Sequence, residues 1–138
     1  MRCKSTLDHG ADRPPRAFIV AGGPPIIIGG NDANRKLPKV ACYADKWNAV
    51  LVSAKRFSEL KAHLDELLRA AGRSPEPVRR MLMTHVVFGR MVAEVERKLG
   101  GEPCELLRHV RGVIVGPSNE IVEQLGPLEE AGVQRVMV

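Results

Sequence analysis

The segment PPIIIGGNDANRKLPKVACYADKWNAV, residues 24–50, decides the fold class of this 138-residue chain. Three consecutive isoleucines, residues 26–28, follow its two initial prolines. A continuous β-branched run is typical of a strand that is buried on both faces, as in a parallel sheet. Gly29 and Gly30 end this strand, and a polar turn at residues 31–34 leads into the next element.

A helix and a second strand are predicted after the turn. Apolar residues recur there at the spacing of one helix face, namely at Leu37, Val40, Ala41 and Ala44. Because proline is tolerated only in the first turn of a helix, we predict that the helix starts near Leu37 or Pro38. Residues 47–52, WNAVLV, predict the second strand. The segment therefore predicts a strand–helix–strand unit.

The following residues predict a long amphipathic helix and a third strand. Ser53 is a typical N-cap and Gly72 a typical helix end. The predicted buried face of this helix comprises Phe57, Leu60, Leu64, Leu67, Leu68 and Ala71. A third apolar run extends from Met81 to Phe88.

The last third of the chain continues the alternation of helices and strands. Two short helices are predicted, one over residues 91–99 and one after Pro103, and residues 113–115 are predicted to be extended. The last helix is predicted to bury Ile121, Val122, Leu125 and Leu128, and residues 133–138 read as a closing strand. Strands that alternate with amphipathic helices predict an α/β fold with a parallel sheet.

Composition and charge exclude several classes of protein. No apolar run approaches the roughly 20 residues that span a bilayer, and the N-terminus lacks the apolar core of a secretion signal. The net charge of +5 is spread along the chain, and one Trp, one Tyr and three Phe are too few for a base-stacking platform, so nucleic-acid binding is disfavoured. Three widely spaced cysteines without a CxxC pair favour a cytoplasmic protein over a disulfide framework.

The chain divides into a leader and one domain. Residues 1–23 are rich in Arg, Pro and Gly, and we predict an irregular, poorly ordered segment there. Residues 24–138 form the domain. The chain ends on a strand with no helix after it, although both faces of a parallel sheet are normally covered. We therefore expect this domain to be a piece of a larger fold.

Three stretches resemble one enzyme family. They are PPIIIGG with the helix that ends in ACYADKWN, FSELKAHLDELLRAAGRSPEPV at residues 57–78, and VIVGPSNEIVEQLGPLEEAGVQRVMV at residues 113–138. In this order and spacing they resemble the C-terminal part of a luciferase-like monooxygenase. That family includes bacterial luciferase and the oxidoreductases that depend on the deazaflavin coenzyme F420.

The resemblance implies a (β/α)8 TIM barrel, of which only the later strands have counterparts here. Such a barrel needs about 250 residues. It also implies F420 or FMN as redox cofactor and a small organic substrate. Half a barrel leaves unpaired strand edges and an exposed sheet face, so we expect a fragment that is incomplete as a catalyst and that forms a homo-oligomer or pairs with a partner.

The glycine turn is the candidate cofactor site. Glycines at the C-terminal end of a strand allow a close approach of ligand to backbone, and the N-terminus of the following helix attracts phosphate. By resemblance, the phosphate of the flavin or deazaflavin is held at Gly29, Gly30, Asn31, Asp32 and Ala33. The Asp32 carboxylate repels phosphate unless it turns away to cap the helix, and Arg35 and Lys36 can compensate for it. The alternative is a simple βα turn without a ligand.

Other reactive residues are interpreted as structural. Packing is the expected role of Trp47, and His85 is expected to be a core residue because it lies within an apolar run. The three remaining histidines form no predicted metal cluster with the cysteines. No spacing predicts a nucleophile–base pair, so the catalytic residues are not identified, and the cofactor is expected to carry the redox chemistry.

Overall fold

The computed structural model describes residues 24–109 and 111–138. The predicted leader at residues 1–23 and the single residue 110 lie outside the described residues. In chain order the strands are β1 (Ile27–Gly29), β2 (Lys46–Val50), β3 (Arg79–Met83), β4 (Val86–Phe88), β5 (Ile114–Gly116) and β6 (Arg135–Met137). The helices are α1 (Leu37–Tyr43), α2 (Ala54–Ala70), α3 (Val92–Leu99), α4 (Cys104–His109) and α5 (Ser118–Glu130).

The strands form two parallel sheets. Four strands follow the order β1-β2-β3-β6, and every neighbouring pair is parallel. Strands β4 and β5 form a separate parallel pair. We call the four-stranded sheet with α1, α2 and α5 the sheet unit, and residues 86–116 the small unit. The predicted α/β fold with a parallel sheet is confirmed.

One face of the four-stranded sheet packs against helices. The main core contains Trp47 and Leu82 from the strands with Phe57, Leu64 and Leu68 from α2, all fully buried. The rings of Trp47 and Phe57 stack with their centroids 5.0 Å apart. Helix α1 adds the predicted stripe of Leu37, Val40, Ala41 and Ala44. The periodicity of α1 and α2 therefore identified their buried faces.

The opposite face of this sheet, here called the open face, is much less covered. The strand register places its side chains together; they are Ile27, Lys46, Asn48, Val50, Arg79, Met81, Met83, Arg135 and Met137. Ile27 is 51% exposed and Met83 is 41% exposed, whereas Ala49 and Leu82 on the helix face are fully buried. Among the described residues β1 and β6 are also edge strands. The expected exposed face of a partial barrel is thus present.

Polar side chains fix the connections of the sheet unit. The hydroxyl of Ser53 accepts a hydrogen bond from the Arg56 N–H at 3.3 Å, which confirms the predicted N-cap of α2. The guanidinium of Arg73, in the loop after α2, donates to the carbonyls of Ala41 and Ala44 at 2.9 and 2.8 Å. A cation at a helix C-terminus is favourable, so Arg73 anchors α1 to the turn before β3.

Three expectations for individual elements are wrong. The run from Met81 to Phe88 is two strands, because the chain leaves the main sheet after Met83 and pairs again at Val86. Val122 and Leu125 are 67% and 39% exposed rather than buried, since the inner face of α5 is carried by Ile121 and Leu128. Cys42 is disulfide-bonded, so the preference for unpaired cysteines does not hold at that residue.

The small unit has its own core of four buried residues, Val95, Leu107, Val113 and Val115. It joins the sheet unit where Gly112 meets Val52. The Thr84 hydroxyl donates to the Gly112 carbonyl at 2.7 Å, and the Ile114 N–H donates to the His85 carbonyl at 2.9 Å. Within the described residues no helix is long and apolar enough to cross a membrane.

Candidate functional site

The C-terminal ends of the four parallel strands meet at one edge of the sheet. The last residues of β1, β2, β3 and β6 are Gly29, Val50, Met83 and Met137. Ligand sites of α/β sheets and barrels lie at this edge, because the loops after the strands converge there. The predicted site residues are therefore on the appropriate side of the sheet.

Gly30 occupies a backbone conformation that other residues rarely adopt. Its φ is +117°, and its N–H donates to the Asn48 carbonyl at 3.0 Å. A Cβ at this position would lie 3.3 Å from Cγ of Lys36, so the lysine stem passes directly over the glycine. A side chain at residue 30 would be strained and would displace Lys36.

Asn31 clamps the turn to the neighbouring strand. Its side-chain Nδ2 donates to the Val50 carbonyl at 2.5 Å, and its Oδ1 accepts from the Val50 N–H at 2.9 Å. The amide thus continues the β1–β2 ladder beyond the last strand residue. Both polar atoms of the Asn31 side chain are engaged, so this residue positions the turn and leaves only its backbone for a ligand.

Asp32 turns its side chain into the chain that follows. Its Oδ1 accepts from the N–H groups of Asn34 and Arg35 at 2.9 and 2.7 Å, and its carbonyl accepts from those of Lys36 and Leu37. The side chain thus closes a turn before the helix and is not the expected helix cap, because α1 begins at Leu37 and its N-terminus has no side-chain cap. Ala33 lies half-buried against the main core.

The turn keeps three backbone donors in succession. The N–H groups of Asn31, Asp32 and Ala33 make no hydrogen bond among the described residues. Arg35 and Lys36 are exposed and form no ion pair within that part of the chain. Consecutive free N–H groups next to two cations are suited to an anion such as a phosphate. The residues present therefore fit a cofactor phosphate.

Trp47 has the expected packing role and one further role that the sequence did not reveal. It is fully buried, and its indole Nε1–H donates to the Gly30 carbonyl at 3.0 Å. A buried tryptophan needs such an acceptor. Together with the Asn48 carbonyl, the indole satisfies both backbone groups of Gly30 and holds the turn rigidly against β2.

His85 does not lie in the core, contrary to expectation. The residues around it alternate, with Leu82 and Thr84 buried and Met83 and His85 exposed. His85 is therefore a surface residue just beyond the end of β3. The apolar neighbours suggested burial, but the strand period of two decides which side each residue takes.

A cavity of about 470 Å³ lies beside this edge, on the helix side of the sheet. Its lining includes Val52 and Ser53, with Lys55, Arg108 and His109 as the basic groups. Arg108 pairs with Glu120, and His109 lies 2.8 Å from Glu105. None of the five predicted cofactor residues lines it. Among the described residues no group of His, Cys, Asp and Glu is arranged to hold a metal.

The sequence comparison identifies one family. A family model described as luciferase-like monooxygenase matches residues 4–135. No curated protein sequence is significantly similar to the chain.

Solved structures share the fold at low sequence identity. A coenzyme F420-dependent tetrahydromethanopterin reductase from Methanopyrus kandleri is 16% identical with a TM-score of 0.59, over 81% of this chain and 44% of that chain. An F420-dependent secondary alcohol dehydrogenase in complex with an F420–acetone adduct is 11% identical with a TM-score of 0.69, over 81% and 42%. The FMN complex of a type II Baeyer–Villiger monooxygenase from Pseudomonas putida is 14% identical with a TM-score of 0.62, over 83% and 42%. The chain thus spans less than half the length of these structures, and the partial TIM-barrel fold is confirmed.

Proposed function

The chain belongs to the luciferase-like monooxygenase family, and from this premise we propose that it forms the phosphate-binding part of an oxidoreductase that uses F420 or FMN. The whole enzyme acts on a small organic substrate. This chain alone is an incomplete catalyst, because it spans less than half the length of the structures that it matches. The cofactor phosphate is held at Gly29, Gly30, Asn31, Asp32 and Ala33.

The observation that carries the proposal is the state of the backbone donors on the turn. The Asp32 carboxylate accepts from the N–H groups of Asn34 and Arg35. Its negative charge is therefore directed away from the backbone N–H groups of residues 31–33. Those three donors remain available. The indole of Trp47 and the hydrogen bonds between Asn31 and Val50 fix the turn to β2. A phosphate therefore meets a preorganised site, and little entropy is lost on binding.

The bound cofactor supplies hydride transfer or, in the case of FMN, oxygen activation. The residues of this chain bind and orient it. Lys36 lies over Gly30 and can reach the phosphate, while Arg35 raises the local positive potential. The exposed His85 stands at the same edge of the sheet and is available to contact the ligand.

A fluorescence titration of the chain with FMN and with F420 tests this proposal. We expect saturable binding of one of the two and loss of binding in Gly30→Glu, which adds a side chain and a negative charge at the turn. Gly72→Glu is the matched control. Gly72 also has a positive φ, it has open space around it, and it follows the C-terminal end of α2 rather than β1. Equal effects of the two substitutions, or no saturable binding of either cofactor, would contradict the proposal.

A second candidate function is favoured by the open face. On this alternative the chain is a non-catalytic barrel fragment that self-associates or pairs with a partner. Parallel sheets are normally covered on both faces, and here β1 and β6 also carry unpaired edges among the described residues. A melting temperature that rises with protein concentration would support self-association. A concentration-independent melting temperature with a monomeric mass would exclude it.

A further inference from the structure

Leu51, the residue that follows β2, has a backbone conformation that leucine rarely adopts. Its φ is +49°, and within residues 24–109 and 111–138 it is the one residue other than glycine with a positive φ. This left-handed region is disfavoured for L-residues, because the Cβ comes too close to the following carbonyl oxygen. Such strain persists only where the surrounding structure holds it, and it is concentrated at binding and active sites.

The positive φ changes which core each side chain enters. In a regular strand, residues 47, 49 and 51 would share one face. Trp47 and Ala49 are indeed buried in the main core, but the next residue in that core is Val52. Leu51 packs instead against the core of the small unit. The backbone at Leu51 thus directs two consecutive side chains into two different cores.

The peptide group that joins Val50 to Leu51 is bonded on both sides. Its carbonyl accepts from Nδ2 of Asn31 at 2.5 Å, and its N–H donates to the Met83 carbonyl on β3 at 2.9 Å. The φ of Leu51 sets the angle between this peptide group and the Leu51 side chain. A negative φ would rotate one relative to the other, so either these hydrogen bonds or the contact with the small unit would be lost.

We propose that Leu51 is a positioning residue of the phosphate turn at residues 29–33. Its left-handed backbone directs the Val50 carbonyl toward Asn31, and the small unit holds that conformation through the Leu51 side chain. The inference rests on the proposed function, because it takes this turn as the site of the cofactor phosphate. The affinity of the turn for the phosphate therefore depends on the backbone conformation at residue 51.

Replacement of Leu51 by Gly and by Ala separates this role from packing. Glycine adopts a positive φ without strain, whereas alanine keeps the strain and loses the side-chain contacts that offset it. The reporter is hydrogen exchange of the Val50 N–H, which donates to Oδ1 of Asn31. We expect its exchange rate to stay within about threefold of wild type in Leu51→Gly and to rise about tenfold in Leu51→Ala. The dissociation constants for FMN and F420 should follow the same order.

Leu99 is the matched control. It packs against the same core of the small unit, but it is the last residue of helix α3. Leu99→Gly should quicken exchange in the small unit more than Leu99→Ala does, because glycine is the poorer helix residue. The expected result is thus an opposite order of the two substitutions at residues 51 and 99.

Two results would overturn the proposal. If Leu51→Gly quickens Val50 exchange as much as Leu51→Ala does, Leu51 acts only through packing. Unchanged exchange in both variants would mean that it does not position the turn. If Leu51→Ala does not fold, as judged by circular dichroism, Leu51→Asn and Leu51→Gln give the same comparison. Asn tolerates a positive φ and Gln is closer to leucine in size, so slower Val50 exchange in Leu51→Asn is expected.

The two readouts separate failure of this inference from failure of the proposed function. Val50 exchange in the expected order, without binding of either cofactor to the wild-type chain, would contradict the proposed function and still show that Leu51 fixes the turn. Saturable cofactor binding with equal affinities in Leu51→Gly and Leu51→Ala would support the proposed function and overturn this inference.

Discussion

The sheet unit and the small unit are stabilised in different ways. The main core has fifteen buried apolar residues, nearly all from the sheet unit, whereas the small unit has four. The small unit also carries five of the large apolar side chains that are exposed, namely Val86, Phe88, Met91, Val92 and Leu106. Its core alone buries too little apolar surface to offset the entropy of ordering about 30 residues.

Polar contacts hold the small unit in place instead. Gln124 on α5 donates to the Val115 carbonyl at 2.8 Å and accepts from the Val115 N–H at 3.2 Å, so its amide pairs with β5 like another strand. Arg108 donates to the same carbonyl and pairs with Glu120. The comparison teaches that the sheet unit is the larger core, and we expect the small unit to open locally at a lower free energy.

The largest expected effect is on the scaffold. Trp47→Ala should lower the free energy of unfolding by about 3–5 kcal/mol, because it removes a fully buried ring and its stack on Phe57. Urea denaturation followed by circular dichroism measures this change. Val92→Ala in the small unit should alter stability by less than about 0.5 kcal/mol, since Val92 is 54% exposed. Equal effects would refute the distinction between the two units.

The joint between the units should be the next most sensitive point. Gly112 has a φ of +60°, and a Cβ there would lie 2.1 Å from the Val52 carbonyl oxygen. Gly112→Ala should therefore cost about 3 kcal/mol, from backbone strain together with a steric clash against backbone. Hydrogen exchange should quicken over residues 86–116, while β1, β2 and β3 keep their protection.

Gly100 is the control for this substitution. It has the same φ of +60° but nothing within 4 Å of the added Cβ. Gly100→Ala should cost only about 1 kcal/mol, which is the backbone strain without the clash. If both variants lose the same stability, the contact between Gly112 and Val52 does not hold the small unit in place.

Local patterns predicted most of the sheet unit because its helices are strongly periodic. The stripe that begins at Leu37 and the Ser53 cap depend on residues within one or two turns, and both are confirmed. The break after Met83 could not be predicted, since it depends on Thr84 meeting Gly112, 28 residues away. The same break explains the wrong expectation for His85.

The location of the candidate site stays a prediction, and its construction could not be predicted. The sequence indicated a glycine turn, but the expected helix cap by Asp32 is absent, because its carboxylate accepts from the N–H groups of Asn34 and Arg35 before the helix begins. The clamp from Asn31 to Val50 spans 19 residues, and the indole of Trp47 reaches across 17 to Gly30, so neither leaves a local signal. The cofactor, F420 or FMN, stays a prediction, since both molecules carry a phosphate.

A smaller effect is expected from the change of Gln to Glu at two residues of the sheet unit, one that contacts the small unit and one that does not. Gln124→Glu removes the donor to the Val115 carbonyl and should destabilise the small unit by about 1–2 kcal/mol. Gln134→Glu in the sheet unit keeps the oxygen that accepts from the Arg80 N–H, so it should be nearly neutral. Hydrogen exchange at β5 and at β3 separates the two effects. Faster exchange at β3 in Gln134→Glu would contradict this account.

The smallest expected effect is the response of α3 to pH. The pKa of Glu94 is lowered from its usual 4.5, first by the hydrogen bond from Lys98 and then by the one from the Arg90 N–H. A lowered pKa means that the folded helix binds the proton more weakly than the unfolded chain. The stabilisation is therefore present above pH 4.5 and is lost as the pH falls through the lowered pKa.

Carboxyl NMR titration of Glu94 measures this pKa directly, and hydrogen exchange in α3 measures its consequence for opening of the small unit. Glu94→Gln should remove the acid-dependent part of that opening, because the glutamine keeps the shape of the side chain but does not titrate. Glu96→Gln on the same helix is the control, since Glu96 has no ion pair among the described residues. An unshifted titration of Glu94, or an equal response to both substitutions, would show that the ion pair with Lys98 is screened by solvent. The small unit would then be held to the scaffold by its joint at Gly112 and by the contacts of Gln124 and Arg108 alone.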